Sequence, residues 1–243
     1  MTLIIRPSIT NNNLRQQCRW HGFPTTSALE QAAAQAIFNS SQQSISQHKA
    51  FHLVLAGGTT PRRVYELLRT MDANWHAWHL YFGDERCLPT DHAERNSRMA
   101  AQAWLDQVSI PASQIHIIPA EQGAEIAASA YAQTLSTVNR FDLVLLGLGE
   151  DGHTASLFPN HDWGASPDSP ATLAVLDAPK PPPQRVSLSA RRLSQTRQLI
   201  FLVSGAMKRQ AIIDWRNGKT IAAAAITPDS GVDVYLEEEL LEV

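Results

Sequence analysis

A chain of 243 residues with 44% hydrophobic content is long enough to bury a continuous core, which excludes an intrinsically disordered chain. A formal net charge of -3 gives no basic field for nucleic acid or an anionic membrane, so any anionic ligand must be held by local cations. The two cysteines, Cys18 and Cys87, form no CxxC pair, which excludes a disulfide framework and fits a reducing compartment, the cytoplasm by default.

The opening MTLIIRPSIT lacks a basic start and a cleavage site, so no signal peptide is expected. No later run approaches the ~20 apolar residues that span a membrane. From Thr25 to Gln47 there is no Pro or Gly, and Leu29, Ala33, Ala36 and Ile37 share one helical face, so a helix is predicted. Phe51 to Ala56 reads as a strand, Gly57-Gly58 as a turn, and Pro61 to Leu68 as the next helix. The alternation returns with a strand at His79 to Phe82 and a helix near Asn96 to Leu105. Ile115 to Ile118 and a helix near Ala124 to Thr137 follow, then a buried strand at Phe141 to Leu146. Further strands are predicted at Arg185 to Leu188, Leu199 to Val203 and Val232 to Leu236, with a helix from Ala206 to Trp215. The proline-dense stretch Pro159 to Pro183 reads as a loop or lid.

Apolar runs interleaved with helices predict one α/β domain over 1–243: a three-layer α/β/α sandwich, a mainly parallel Rossmann-like sheet with helices on both faces. In such sheets ligands sit beyond the carboxyl ends of the strands, so the loops after Ala56, Phe82 and Leu146 should converge on one crevice.

Those loops carry the chemistry. In Ala56-Gly57-Gly58-Thr59-Thr60-Pro61 the glycines allow a sharp turn and close approach to a ligand. Thr60 is placed to cap the helix, and Pro61 suits its first turn. The exposed N–H groups, the helix dipole and the Thr59 and Thr60 hydroxyls favour a phosphate; the plainer alternative is a well-capped helix after a tight turn. Asp84-Glu85-Arg86-Cys87-Leu88-Pro89 concentrates charge at a strand end, where Arg86 is suited to grip phosphate or a developing oxyanion. An exposed acidic turn is the alternative there, and Asp91, Glu94 and Arg95 read as solvated loop charges. The most informative segment, Gly147-Leu148-Gly149-Glu150-Asp151-Gly152-His153-Thr154-Ala155-Ser156-Leu157-Phe158-Pro159, packs glycines, an acid and a histidine into one turn. His153 is suited to take a proton from water and Asp151 to orient its ring. Arg185, at the start of its strand, and Lys208, near the start of its helix, are cations at element edges; a solvated surface lysine is the alternative for Lys208.

No HExxH or paired Cys/His spacing occurs, and His48, His52, His76, His79 and His116 are scattered, so no dedicated metal site is expected. No GxSxG elbow occurs either, which leaves water as the expected nucleophile. The tryptophans read as core or rim.

In order and spacing these motifs, with Asn96 behind the second and Gly205-x-x-Lys208 last, resemble the 6-phosphogluconolactonases of the glucosamine-6-phosphate isomerase/6-phosphogluconolactonase superfamily. The resemblance spans about 51–208. It implies hydrolysis of 6-phospho-D-glucono-1,5-lactone to 6-phospho-D-gluconate in the oxidative branch of the pentose phosphate pathway, without cofactor or metal. His153 is then the base, with Asp151 and Arg86 in the catalytic set. Gly57, Gly58, Thr59, Thr60, Asp84, Asn96, Gly149, Arg185 and Lys208 form the phosphate and substrate cradle. The implied partner is a small sugar phosphate, with no nucleic acid or membrane, and the chain is expected as a monomer or weak homodimer. The related deaminases share the Asp-Gly-His turn but carry a glutamate where Phe158 stands, which favours the lactonase. Amino-sugar-phosphate deaminase/isomerase, and a non-catalytic sugar-phosphate sensor on the same fold, are the alternatives. Ala56 and Arg95 stand where this family usually has serine.

Overall fold

The structure is a computed structural model that describes residues 16–242; the opening decapeptide, where no signal peptide is expected, lies outside them. Chain order is β1 (Cys18–Phe23), α1 (Thr26–His48), β2 (Phe51–Leu55), α2 (Thr59–Leu68), β3 (Trp78–Phe82), β4 (Asp84–Arg86), α3 (Asn96–Ala103), β5 (Ile115–His116) and α4 (Ala124–Leu135). It continues with β6 (Phe141–Gly147), β7 (Thr172–Val175), β8 (Arg185–Leu188), α5 (Ala190–Ser194), β9 (Thr196–Val203), α6 (Arg209–Arg216) and β10 (Val232–Glu237).

Seven strands form one sheet in the order β1-β10-β9-β6-β2-β3-β5, and every neighbouring pair runs parallel. The expected α/β/α architecture is the one found. Strand β6 shows why it was legible: Phe141 to Leu146 is buried along its whole length, as a strand covered on both faces must be. Helix α1 opens where the Thr25 side chain accepts from the Ala28 N–H at 3.1 Å, and closes at Lys49, whose φ of 68° ends the helical run. The tryptophans are core or rim as expected: Trp78 and Trp104 are fully buried, with ring centroids 5.7 Å apart, while Trp20, Trp75 and Trp163 are partly buried against the core.

A second sheet, antiparallel in the order β4-β8-β7, was not expected. The strand at Arg185 belongs to it, and Pro159 to Pro183, read as loop or lid, contains β7. The Leu188 N–H donates to Gly83 O at 2.8 Å and the Gly83 N–H to Leu55 O at 3.0 Å, which fixes this sheet over the carboxyl ends of β2 and β3. Two helix boundaries also shift. The helix at Asn96 ends at Ala103 before a 3₁₀ turn, and residues 206–208 form a 3₁₀ turn ahead of α6.

Candidate active site

The carboxyl ends of β2, β3 and β6 open into a cleft of about 370 Å³, walled by Gly57, Gly58, Asp84, Gly149, His153 and Lys208 among others. All three motif loops reach it, as the topology required.

At the first loop, Gly58 sits at the helix N-cap with φ 110°, a conformation that only glycine holds without strain. A Cβ on Gly57 would overlap the Asn96 carboxamide, so this glycine permits the close approach of β2's end to α3. Thr60 does not cap the helix. The helix starts two residues earlier than that role requires, and the Thr60 hydroxyl instead shares a 2.6 Å hydrogen bond with the Ser204 hydroxyl, tying α2 to the end of β9. Among the described residues no side chain caps α2, so its first-turn N–H groups face outward at the positive end of the helix dipole. Thr59 and Thr60 are not themselves part of the cleft wall.

Behind the second loop, charges that looked solvated are structural. Arg95, expected as a loop charge, is buried: its Nη1 donates to Glu121 at 2.8 Å and Nη2 to Ile118 O at 2.8 Å, and its Nε lies 3.4 Å from the fully buried Glu85 carboxylate. Glu85 accepts from the Asn96 N–H at 2.8 Å, the Ser97 N–H at 2.8 Å and the Ser97 hydroxyl at 2.6 Å, so it caps α3 from below. The charge run carried no sign of this, because the pairing partners lie on separate elements. Asp84 accepts from the Ser156 hydroxyl at 2.6 Å and from Asn96 Nδ2 at 2.9 Å. Burial pushes its carboxyl above the ordinary range, opposed by the Ser156 bond and the charge of Arg185. Asp84 and Asn96 thus brace each other on the cleft floor.

In the third loop the Gly149 N–H donates to His153 O at 2.7 Å and the Gly152 N–H to Gly149 O at 3.1 Å, closing a tight turn. A Cβ on Gly149 would overlap the His153 ring, which explains this glycine; it leaves the imidazole room against the backbone. Nδ1 of His153 is hydrogen-bonded to Asp151 Oδ1. Burial raises the Asp151 pKa, but the hydrogen bond and charge of His153 outweigh it and the carboxyl lies below its ordinary range. An ionised Asp151 holds the proton on Nδ1 and leaves Nε2 as the basic nitrogen. Asp151 is behind the ring, not on the cleft wall. The buried Phe158 ring packs 4.8 Å from the His153 ring.

Strand pairing sets Arg86 opposite Arg185. Arg86 Nη1 donates to Glu94 O at 2.6 Å, while its Nε is buried without a partner among the described residues. Arg185 lies over Phe158, 5.4 Å from the ring centroid, and both of its bonded nitrogens go to main-chain carbonyls. Lys180, to which the sequence reading gave no role, also lines the cleft; its only signal was being the one charged residue among Pro179 to Pro183. Among the described residues four cations, Arg86, Lys180, Arg185 and Lys208, therefore face a cleft whose wall carries one carboxyl group, Asp84. Among the described residues no group of three or more His, Cys, Asp or Glu is placed to hold a metal ion, and no helix is long and apolar enough to cross a membrane.

This site has recognisable relatives. A 6-phosphogluconolactonase from Mycobacterium leprae is 33% identical over 232 residues, covering 90% of this chain and 92% of that one. One from Synechocystis is 39% identical over 169 residues, 66% of this chain and 69% of its own. Among solved structures, a 6-phosphogluconolactonase from Trypanosoma brucei superposes with a TM-score of 0.84 at 27% identity, covering 93% of this chain and 98% of that one. A monomeric glucosamine-6-phosphate deaminase, 19% identical, superposes at 0.78 over 92% of this chain and 98% of its own, a likeness of fold alone. The family model described as glucosamine-6-phosphate isomerases/6-phosphogluconolactonase matches residues 24–235, and the chain belongs to that family.

Proposed function

We propose that this chain hydrolyses 6-phospho-D-glucono-1,5-lactone to 6-phospho-D-gluconate, with His153 activating the water. The observation that carries the reading is the placement of an imidazole, held by Asp151, on the wall of the same cleft as the uncapped start of α2 and four cations. The α2 amides, Gly57, Gly58 and Lys208 receive the phosphate. Asp84, Asn96 and Gly149 shape the surface on which the sugar lies.

His153 Nε2 takes a proton from water as the water oxygen bonds to C1. Charge builds on the carbonyl oxygen, and Arg86, whose buried Nε lacks a partner, is the cation available to stabilise it. Collapse of the tetrahedral intermediate breaks the bond between C1 and the ring oxygen, which takes the proton back from the imidazolium; the new acid ionises. General-base help of ~10²–10⁴-fold, together with positioning, is enough for an ester that already hydrolyses unaided. Phe158 supports this over the deaminase reading, because an apolar ring beside His153 offers no carboxylate for a ring-opening relay. The free Cys18 and Cys87 support a reducing, cytoplasmic setting. The chain is read as one domain acting as a monomer or weak homodimer.

The test follows lactone decay at slightly acidic pH, where the background is slow, with and without the protein. Saturable acceleration is expected; decay at the spontaneous rate, with 6-phosphogluconate still bound, would instead indicate the sensor.

A further inference from the structure

The cleft holds more positive charge than the one phosphate of a lactone needs: among the described residues Arg86, Lys180, Arg185 and Lys208 all line it. The phosphate end is built from α2 and the segment after β9, joined through Thr60 and Ser204. The other end is a continuous stack: His153 against Phe158 at 4.8 Å, Phe158 under Arg185 at 5.4 Å, and Phe158 packed with Val175 and Ala178 at the foot of a proline strap. The strap is closed by the Ala178 N–H donating to Pro183 O at 2.9 Å. The Arg185 guanidinium fastens it, Nε to Pro182 O at 3.1 Å and Nη2 to Lys180 O at 2.9 Å and Pro181 O at 3.1 Å. The strap lines the cleft with Pro181 and with Lys180, whose ammonium has no carboxylate partner among the described residues. Arg86 stands opposite Arg185 in the strand pairing, its Nε buried and unpartnered. Like charges set directly across strands repel unless an anion lies between or beside them.

We propose that Lys180, with Arg86, forms a carboxylate subsite that receives the charge released at C1 when the lactone ring opens, and that Arg185 is a positioning residue that holds the strap carrying Lys180. The inference rests on the lactonase reading and deepens it. Phosphate and C1 are at opposite ends of the substrate, so with the phosphate at α2 and Lys208, C1 lies toward His153 and the strap whose foot packs on Phe158 beside it. The lactone carries no charge at C1, whereas the oxyanion of the intermediate and the carboxylate of the product do. Lys180 therefore discriminates late species from the ground state, which is the discrimination that speeds a reaction. Proline fixes the strap's backbone, so little ordering is lost when the anion arrives.

The experiment compares two ligands that share the phosphate end, 6-phosphogluconate and glucitol 6-phosphate, which ends in a hydroxymethyl group in place of the carboxylate. Calorimetry is run on the wild-type chain and on Lys180→Met, an exposed position whose change leaves the core intact. A charge-assisted contact gives the wild type roughly ten- to a hundredfold preference for 6-phosphogluconate. Lys180→Met abolishes most of it and leaves glucitol 6-phosphate within about twofold of wild type on the same scale. Equal weakening of both ligands would put Lys180 at the phosphate, and no weakening would remove it from the site; either overturns the proposal. Arg185→Lys, which cannot fork across the three carbonyls, is expected to lose the same preference, with no further loss in the double variant. An Arg185→Lys chain that keeps the preference overturns the positioning role. Lactone hydrolysis by the wild-type preparation is measured alongside, so failure of the lactonase reading is distinguished from failure of the subsite.

Discussion

His153 and Asp151 are two residues apart, yet only the backbone between them makes them a pair. The Gly149 and Gly152 amide bonds fold the turn so that the carboxylate lies at Nδ1 and the ring faces the cleft. Asp151→Asn keeps the size but removes the charge, and an amide accepts or donates at Nδ1 with equal ease, so the tautomer is no longer fixed. Steady-state kinetics of that variant are expected to show kcat reduced by about 10²-fold with KM nearly unchanged. An unaltered kcat would leave Asp151 a turn residue only. The histidine was legible from its glycine-rich strand-end setting; Lys180 was not, because the strap that carries it is held by three main-chain carbonyl contacts to Arg185 on β8.

At the scale of elements, β2, β3 and β5 carry a ladder of rings on one face of the sheet. His52 stacks on His79 at 4.8 Å, His79 on His116 at 5.9 Å, and Tyr81 on His116 at 4.5 Å. Burial, and then the neighbouring His79, pull the His52 pKa down from 6.5 to about 4, with Asp142 opposing and His48 and His116 adding to the shift. Burial lowers His79, and burial with His79 lowers His116. These rings are neutral in the fold. Above the ordinary histidine pKa neither state gains a proton and stability is unaffected; as pH falls from 6.5 towards 4 the unfolded chain takes up protons that the folded chain resists, so stability is lost. Denaturant midpoints across that range are expected to show a loss of about 2 kcal/mol attributable to His52 after solvent screening. Replacement by His52→Leu should flatten the curve, and a parallel curve would exclude His52 as the cause. No single strand revealed this ladder, since its rings meet only through the register His52 with His79 and Tyr81 with His116. The Arg95 pairs were hidden for the same reason. Strand β1 was missed because its residues look soluble: Arg19 Nε and His21 Nε2 are held at 2.7 and 2.8 Å by Asp233 on β10.

Over the whole molecule, what the sequence made plain was the parallel sheet, because strands such as β6 are apolar on both faces and alternate with helices. The antiparallel sheet was illegible because β7 is short, lies in a proline-rich stretch and exists only by pairing with β8. That sheet nonetheless supplies Arg86, Arg185 and the strap. A chain of net charge -3 thus concentrates positive charge where the strand ends converge. Attraction of this kind is screened by salt, so KM for the lactone is expected to rise severalfold between about 0.05 and 0.5 M ionic strength while kcat holds. A KM indifferent to salt would count against an electrostatic cleft.

The most direct test of the central claim is single-turnover lactone hydrolysis by His153→Ala, paired with calorimetric binding of 6-phosphogluconate to the same variant. The enzymatic rate is expected to fall by ~10²–10⁴-fold while the sugar phosphate still binds, because the base is lost and the phosphate end is not. Turnover at the wild-type rate would contradict that claim.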